Sequence, residues 1–146
     1  MSPVISPTMS HEKINPPELF SSLQYGFSHA VIHAGGHSGK RTIECAGQVA
    51  WDRDCNLIGE GDFAAQAREV FKNLRTVLEA AGATPADVVR LRTYIVDHDQ
   101  QKLEALGPVM AEFYGDVTPA ANTLIGVQAL ALPGFLIEVE ATAVVG

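Results

Sequence analysis

Hydrophobic positions along the chain change their period several times, and each change marks an element. Residues 1–14 (MSPVISPTMSHEKI) have no period and read as a leading tail, closed by Asn15-Pro16-Pro17. Tyr25 to Ala34 (YGFSHAVIHA) is aromatic and β-branched and predicts a strand, Gly35 to Lys40 a turn, and Arg41 to Trp51 a second strand that completes a hairpin. Asp52 to Gly61 is a polar connector. A helix follows, with Ala64, Ala67, Val70, Phe71, Leu74, Val77, Leu78 and Ala81 on one face, Asp62 as N-cap and Gly82 as the left-handed residue beyond its end. Its other face carries Arg68, Glu69, Lys72, Arg75 and Glu79, a solvated set. Thr84-Pro85-Ala86-Asp87 predicts a capped turn with proline at its first helical position. Val88 to Val96 alternates as a third strand. A second helix is expected from about Gln100 to Tyr114 on Leu103, Leu106, Val109, Met110 and Phe113, loosened at Gly107-Pro108 because Pro108 has no N–H to donate to Glu104. Asn122 to Ala129 and Phe135 to Val145 are the last two strands.

The order is β-β-α-β-α-β-β, an α+β fold with one mixed sheet and two helices on one face. Both faces of the expected strands carry Val, Ile, Leu and Ala, so the uncovered face is expected to be apolar and to be covered by self-association into a cyclic oligomer. At 146 residues the chain suits one core rather than two. Its apolar fraction of 47% is that of a globular domain. The longest apolar runs fall short of the roughly 20 residues of a membrane span, and no leading signal is evident, so a cytoplasmic protein is expected. A net charge of −7, with basic residues interleaved among acids, argues against nucleic acid as a partner. Cys45 and Cys55 stand in no Cys-x-x-Cys and lack histidines at zinc spacing, so two buried free thiols are expected, with a disulfide as the lesser alternative and no metal or cofactor.

Several segments then point to one family. Tyr25 to Val31 (YGFSHAV), Ala46-Gly47-Gln48, the helix from Ala64 to Gly82, Asp87-Val88-Val89, Pro119 to Val127, and Leu132-Pro133 with Ile137 to Ala141 fall in the order and spacing of the RidA/YjgF reactive-intermediate deaminases. The chain resembles that family from about residue 15 to 145, which gives a tail of 1–14 and a domain of 15–146. The resemblance implies a chorismate-mutase-like fold, a homotrimer whose sheets form a barrel, and small-molecule clefts between subunits. It also implies hydrolysis of imines and enamines to a keto acid and ammonia. In the family a Pro-Ala-Arg segment supplies an arginine that clamps the substrate carboxylate through two parallel hydrogen bonds. A glutamate near the C-terminus handles the attacking water.

The chain departs from that pattern at the site. The arginine position falls on Asn122 when counted back from Gly126-Val127, or on Ala121 when counted from Pro119-Ala120, and Thr123, Leu124 and Ile125 are neutral. The family's tyrosine falls on Phe27, its frequent cysteine on Leu124 and a helical asparagine on Gly107, so Glu138 is the one matched catalytic position. Glu138 and Glu140 share a strand face about 7 Å apart. Glu138 is the candidate general acid or base in an apolar cleft, or one of a pair of carboxylates on a polar strand face. Phe27, Ala46, Gly47, Gly107, Asn122, Thr123 and Leu124 are the candidate ligand-binding residues. His29, expected on the strand face of Phe27, is a structural histidine or a replacement polar group. A guanidinium–carboxylate contact contributes about 2–5 kcal/mol. Its loss predicts roughly thousandfold poorer turnover of 2-iminopropionate-type substrates. The alternatives are a non-catalytic ligand-binding or regulatory homologue and a pathway-specific enzyme with altered chemistry. A ribonuclease reading is the weakest, given the acidic balance.

Overall fold

The computed structural model describes residues 11–34 and 39–146. Most of the expected tip of the first hairpin, residues 35–38, and residues 1–10 of the expected tail lie outside that range. Six strands form one sheet in the order β1-β2-β3-β6-β4-β5: β1 Glu12–Ile14, β2 Ala30–Ala34, β3 Arg41–Gln48, β4 Val88–Val96, β5 Ala121–Val127 and β6 Ile137–Val145. Helix α1 (Phe63–Ala80) precedes β4, and α2 (Gln100–Tyr114) makes the crossover to β5, which lies parallel to β4; every other pairing is antiparallel. The expected α+β class, mixed sheet and pair of helices on one face are all present. Residues 12–14, counted above with the tail, instead extend the sheet by pairing with Ala30–Ile32.

Alternation on the strands sets the core. Ile43, Leu91, Ile95, Ile137, Val139, Ala141 and Ala143 point towards the helices and are buried with Val70, Leu74, Val77 and Leu78 of α1. The ends of α1 follow its sequence signals. The Asp62 carboxylate accepts from the Ala65 N–H at 3.1 Å. At the other end Ala83 N–H donates to Leu78 and Gly82 N–H to Glu79, with Gly82 at φ +85°, which is a Schellman closure. The Thr84–Asp87 capping box leads directly into β4. Helix α2 runs through Pro108 as one helix, and Leu103, expected in its buried stripe, is 49% exposed.

Two expectations are corrected by the strands themselves. Tyr25 and Phe27 precede the strand rather than belong to it. Leu23–Tyr25 is a 3₁₀ turn closed by Gly26 at φ +90°, a conformation that ends extended structure. The uncovered sheet face is mixed rather than apolar: Tyr94 donates to Glu140 at 2.8 Å, Arg92 donates to the same carboxylate at 3.4 Å, Arg90 to Thr123 at 2.9 Å, and Thr142 to Glu44 at 2.8 Å, while Val31, Val96 and Val144 share the face. These cross-strand polar pairs, one of them an ion pair, tie the strands together on this face within the single chain. Both thiols are free; Cys45 is buried, with its pKa pushed up to about 12 by burial and by the nearby Glu44, whereas Cys55 is only half-buried. Among the described residues no helix is long and apolar enough to cross a membrane, and no group of three or more His, Cys, Asp or Glu side chains could hold a metal ion.

Candidate functional site

β3 and β6 are neighbours, and their register slips between Cys45 and Gln48. This bulge turns Gly47 to face Glu138. A Cβ on residue 47 would stand 2.7 Å from the Glu138 Cδ and overlap its Oε2, so only glycine lets the carboxylate lie against the β3 backbone. The two residues line one cavity of about 300 Å³. Phe20, Tyr25 and Phe27 wall it from the segment before β2, Val49 and Trp51 from the end of β3, and Ala131, Leu132 and Phe135 from the β5–β6 loop.

The walls are aromatic and brace one another edge to face, the arrangement their quadrupoles favour. Phe20 is the hub: its ring lies 5.1 Å from Trp51, 6.3 Å from Phe27 and 6.4 Å from Tyr25, and Trp51 in turn meets Phe135 at 5.3 Å. Behind Phe20 the buried His29 bonds through Nε2 to the Phe20 carbonyl at 2.9 Å and faces Gln48 Nε2 through Nδ1 at 3.2 Å. A carbonyl can only accept, so Nε2 carries the proton and Nδ1 accepts from the amide. Burial lowers the His29 pKa, which agrees with a neutral ring. His29 therefore supports the wall and takes the structural of its two readings.

Helix α1 fixes two of the three segments that supply the walls. Asn73 donates to the carbonyls of Val49 and Trp51, both at 3.0 Å. Gln66 donates to Gly59 at 3.2 Å and Gly134 at 2.8 Å and accepts from Leu136 N–H at 2.9 Å. Both side chains are buried. They lie at the edge of the apolar stripe of α1, where the sequence pattern does not set them apart from the solvated face. The aromatic walls gave a faint sign: Trp51 and Phe135 sit at strand ends, and Leu130 to Phe135 is apolar outside any periodic element.

Glu138 is half-buried, and desolvation, followed by repulsion from Glu140, raises its carboxyl pKa above the ordinary value. None of the residues lining the cavity is Lys, Arg or His. Of the sequence-derived candidates, Phe27, Gly47 and Glu138 line the cavity, and Ala46 adjoins it on β3, its N–H bonded to the His29 carbonyl at 2.8 Å. The other four are placed elsewhere in the chain. Asn122 and Leu124 turn to the helix side of β5, where Asn122 accepts from Thr93 at 3.1 Å and Leu124 packs on the core. Thr123 is on the opposite face with Arg90, and Gly107 is exposed on α2. The row from β6 to β5 pairs Glu138 with Tyr94 and Tyr94 with Ile125, so β4 separates the two groups.

Two helices on a six-stranded sheet, with an aromatic pocket floored by one carboxylate, define an α+β domain with a cavity of small-molecule size. The chain belongs to the RidA/YjgF family: it matches the family described as Endoribonuclease L-PSP over residues 23–145. It is 35% identical over 99 residues to a RutC family protein of Pyrococcus horikoshii, covering 67% of this chain and 75% of that one. It is 32% identical over 89 residues to a 2-iminobutanoate/2-iminopropanoate deaminase of Dermatophagoides farinae, covering 61% and 67% of the two chains. A crystal structure of a Rid family protein of unknown function from Yersinia pestis is 51% identical, with a TM-score of 0.69 over 94% of this chain and 100% of that one.

Proposed function

We propose that the chain is a Rid-type hydrolase of imines or enamines that carry no carboxylate, with Glu138 as its acid–base group, in a cleft completed by a neighbouring subunit of a homotrimer. The observation that carries this reading is the Glu138 carboxylate, half-buried on the floor of an aromatic pocket against Gly47 with its pKa raised by burial. A carboxyl group moved towards neutrality serves both as base and as acid. As carboxylate, Glu138 takes a proton from water as the oxygen adds to the C=N carbon. It passes that proton to nitrogen to complete the carbinolamine, then takes the carbinolamine hydroxyl proton and returns it to nitrogen as the C=O forms and the C–N bond breaks. Imine and water become carbonyl and ammonia, and the carboxylate is regenerated.

Two facts support the restriction to carboxylate-free substrates. No Lys or Arg occurs between Pro119 and Val127, and none lines the cavity. A substrate carboxylate would meet Glu138 with no counter-charge in the cavity wall. The separation of Phe27, Gly47 and Glu138 from Gly107, Asn122, Thr123 and Leu124 supports the shared cleft, with the second group reaching the first from another subunit. The absence of a cation from residues 119–127 equally favours a second reading, ligand binding without turnover.

The test compares two imines made in situ, one from a simple amine by an amine oxidase and 2-iminopropionate from alanine by an amino-acid oxidase, with ammonia release as the signal. The protein is expected to accelerate hydrolysis of the first, and Glu138→Gln to lower that rate by about 10²–10⁴-fold. The second imine should be turned over roughly a thousandfold less well. Fast turnover of 2-iminopropionate, or turnover indifferent to Glu138→Gln, overturns the proposal; acceleration of neither imine leaves the binding reading.

A further inference from the structure

The pocket has a second property that bears on what enters it. Its walls present aromatic rings, its floor presents a carboxylate, and no lining residue offers a positive charge. The arginines nearest that floor on β4 are engaged away from it, Arg92 with Glu140 and Arg90 with Thr123. Glu140, two residues along the same strand face, is offset by Arg92, so Glu138 is the one charged group in the lining and has no partner there. Ring faces carry the negative lobes of a quadrupole and attract cations that lie over them. Phe20, Tyr25, Phe27, Trp51 and Phe135 meet one another at interplanar angles from 50° to 83°, and all five line the cavity that Glu138 lines.

Resting on the hydrolase reading for its chemistry, we infer that the pocket selects a cation: a protonated imine or amine bearing an apolar, aryl-sized substituent, its nitrogen against Glu138 and its body among the rings. Size agrees with this class. A cavity of about 150 Å³ accommodates benzene. The observed cavity of about 300 Å³ therefore suits one ring with a short chain. Charge also serves the reaction, because a protonated C=N carbon is the more electrophilic one and an adjacent carboxylate holds the proton on nitrogen. Water then adds to R₂C=NH₂⁺, and the products are R₂C=O and NH₄⁺.

Trp51 is the sole tryptophan and stands in the wall, so its fluorescence reports occupancy directly. Three probes of one shape separate charge from packing: 2-phenylethylammonium, 2-phenylethanol and phenylacetate, titrated at pH 8. The ammonium ion is expected to bind at least tenfold more tightly than the alcohol, with phenylacetate weaker than both. In Glu138→Gln the tenfold preference should vanish while affinity for the alcohol stays within about twofold, since only the charge partner is removed. Equal or tighter binding of the alcohol or of phenylacetate to the native protein overturns the inference, as does no binding by any probe, or a cation preference that survives in Glu138→Gln. The probe series on the native chain needs no variant, so misfolding of the variant cannot rescue the inference. Cation-selective binding without turnover of the amine-derived imine would remove the hydrolase reading and leave this one. Turnover by a protein that binds ammonium and alcohol equally would do the reverse.

Discussion

Glu138 is held where a carboxylate is least comfortable, over a glycine backbone and among rings, with a second carboxylate two residues away. Its raised pKa has a stability consequence with a definite sign. The native state holds this proton at pH values where the unfolded chain has released it, so stability is full below the unfolded pKa of about 4.3 and falls as pH rises through the native value. Glu138→Gln removes that loss. Its Tm should exceed the native one at pH 7, and the difference should shrink as pH drops towards 4; thermal melts across that range check it, and a constant offset would contradict it. Gly47→Ala acts on the same carboxylate from the other side. A methyl there overlaps Oε2, so Glu138 must swing off the β3 backbone. Turnover is expected to fall by about tenfold or more with secondary structure unchanged, read by kinetics beside circular dichroism.

At the scale of elements, α1 does more than cover the sheet. Through Asn73 it holds the carbonyls of Val49 and Trp51, and through Gln66 it holds Gly134 and Leu136, so two of the three wall segments hang from one helix. Asn73→Leu or Gln66→Leu leaves buried backbone groups without partners, at a cost of about 1–3 kcal/mol each. Urea unfolding should show that loss, and Trp51 emission should shift to the red as its wall loosens. Helix α1 itself was legible because period, N-cap and C-terminal glycine all agreed. Its two polar clips, at the edge of its apolar stripe, were not legible, because their partners lie up to 70 residues distant. The segment Tyr25–Phe27 misled for a related reason. Aromatic residues score as strand, yet these rings belong to a pocket wall, and the turn at Gly26 decides their conformation. Glu138 and Gly47 were found separately in the sequence; the bulge that presses them together is not written in either strand alone.

At the scale of the whole molecule, the open face is not the continuous apolar surface expected from the strand pattern. It carries Tyr94, Arg92, Glu140, Thr142 and Glu44 in cross-strand bonds, with Val31, Val96, Val144 and Ile125 among them. The proposed trimer should scatter light as about 47 kDa, three copies of the 15.6 kDa chain. Within one chain β4 lies between Asn122 and Glu138, and Asn122 turns to the helix side, so in the proposed trimer an arginine at 122 would serve a neighbour's pocket and not its own. Asn122→Arg is therefore expected to raise kcat/KM on 2-iminopropionate by at least tenfold, towards the thousandfold that a guanidinium–carboxylate clamp of about 2–5 kcal/mol allows. The same change at Ala121, on the opposite face of β5, should not. The double variant Asn122→Arg with Glu138→Gln has the arginine without the acid and should be inactive alone. Reassembled with native chains, it should recover activity on 2-iminopropionate above that of either parent, because mixed trimers place its arginine beside a native Glu138. Mixtures no better than their parents would locate both groups in the same subunit's pocket and remove the shared cleft.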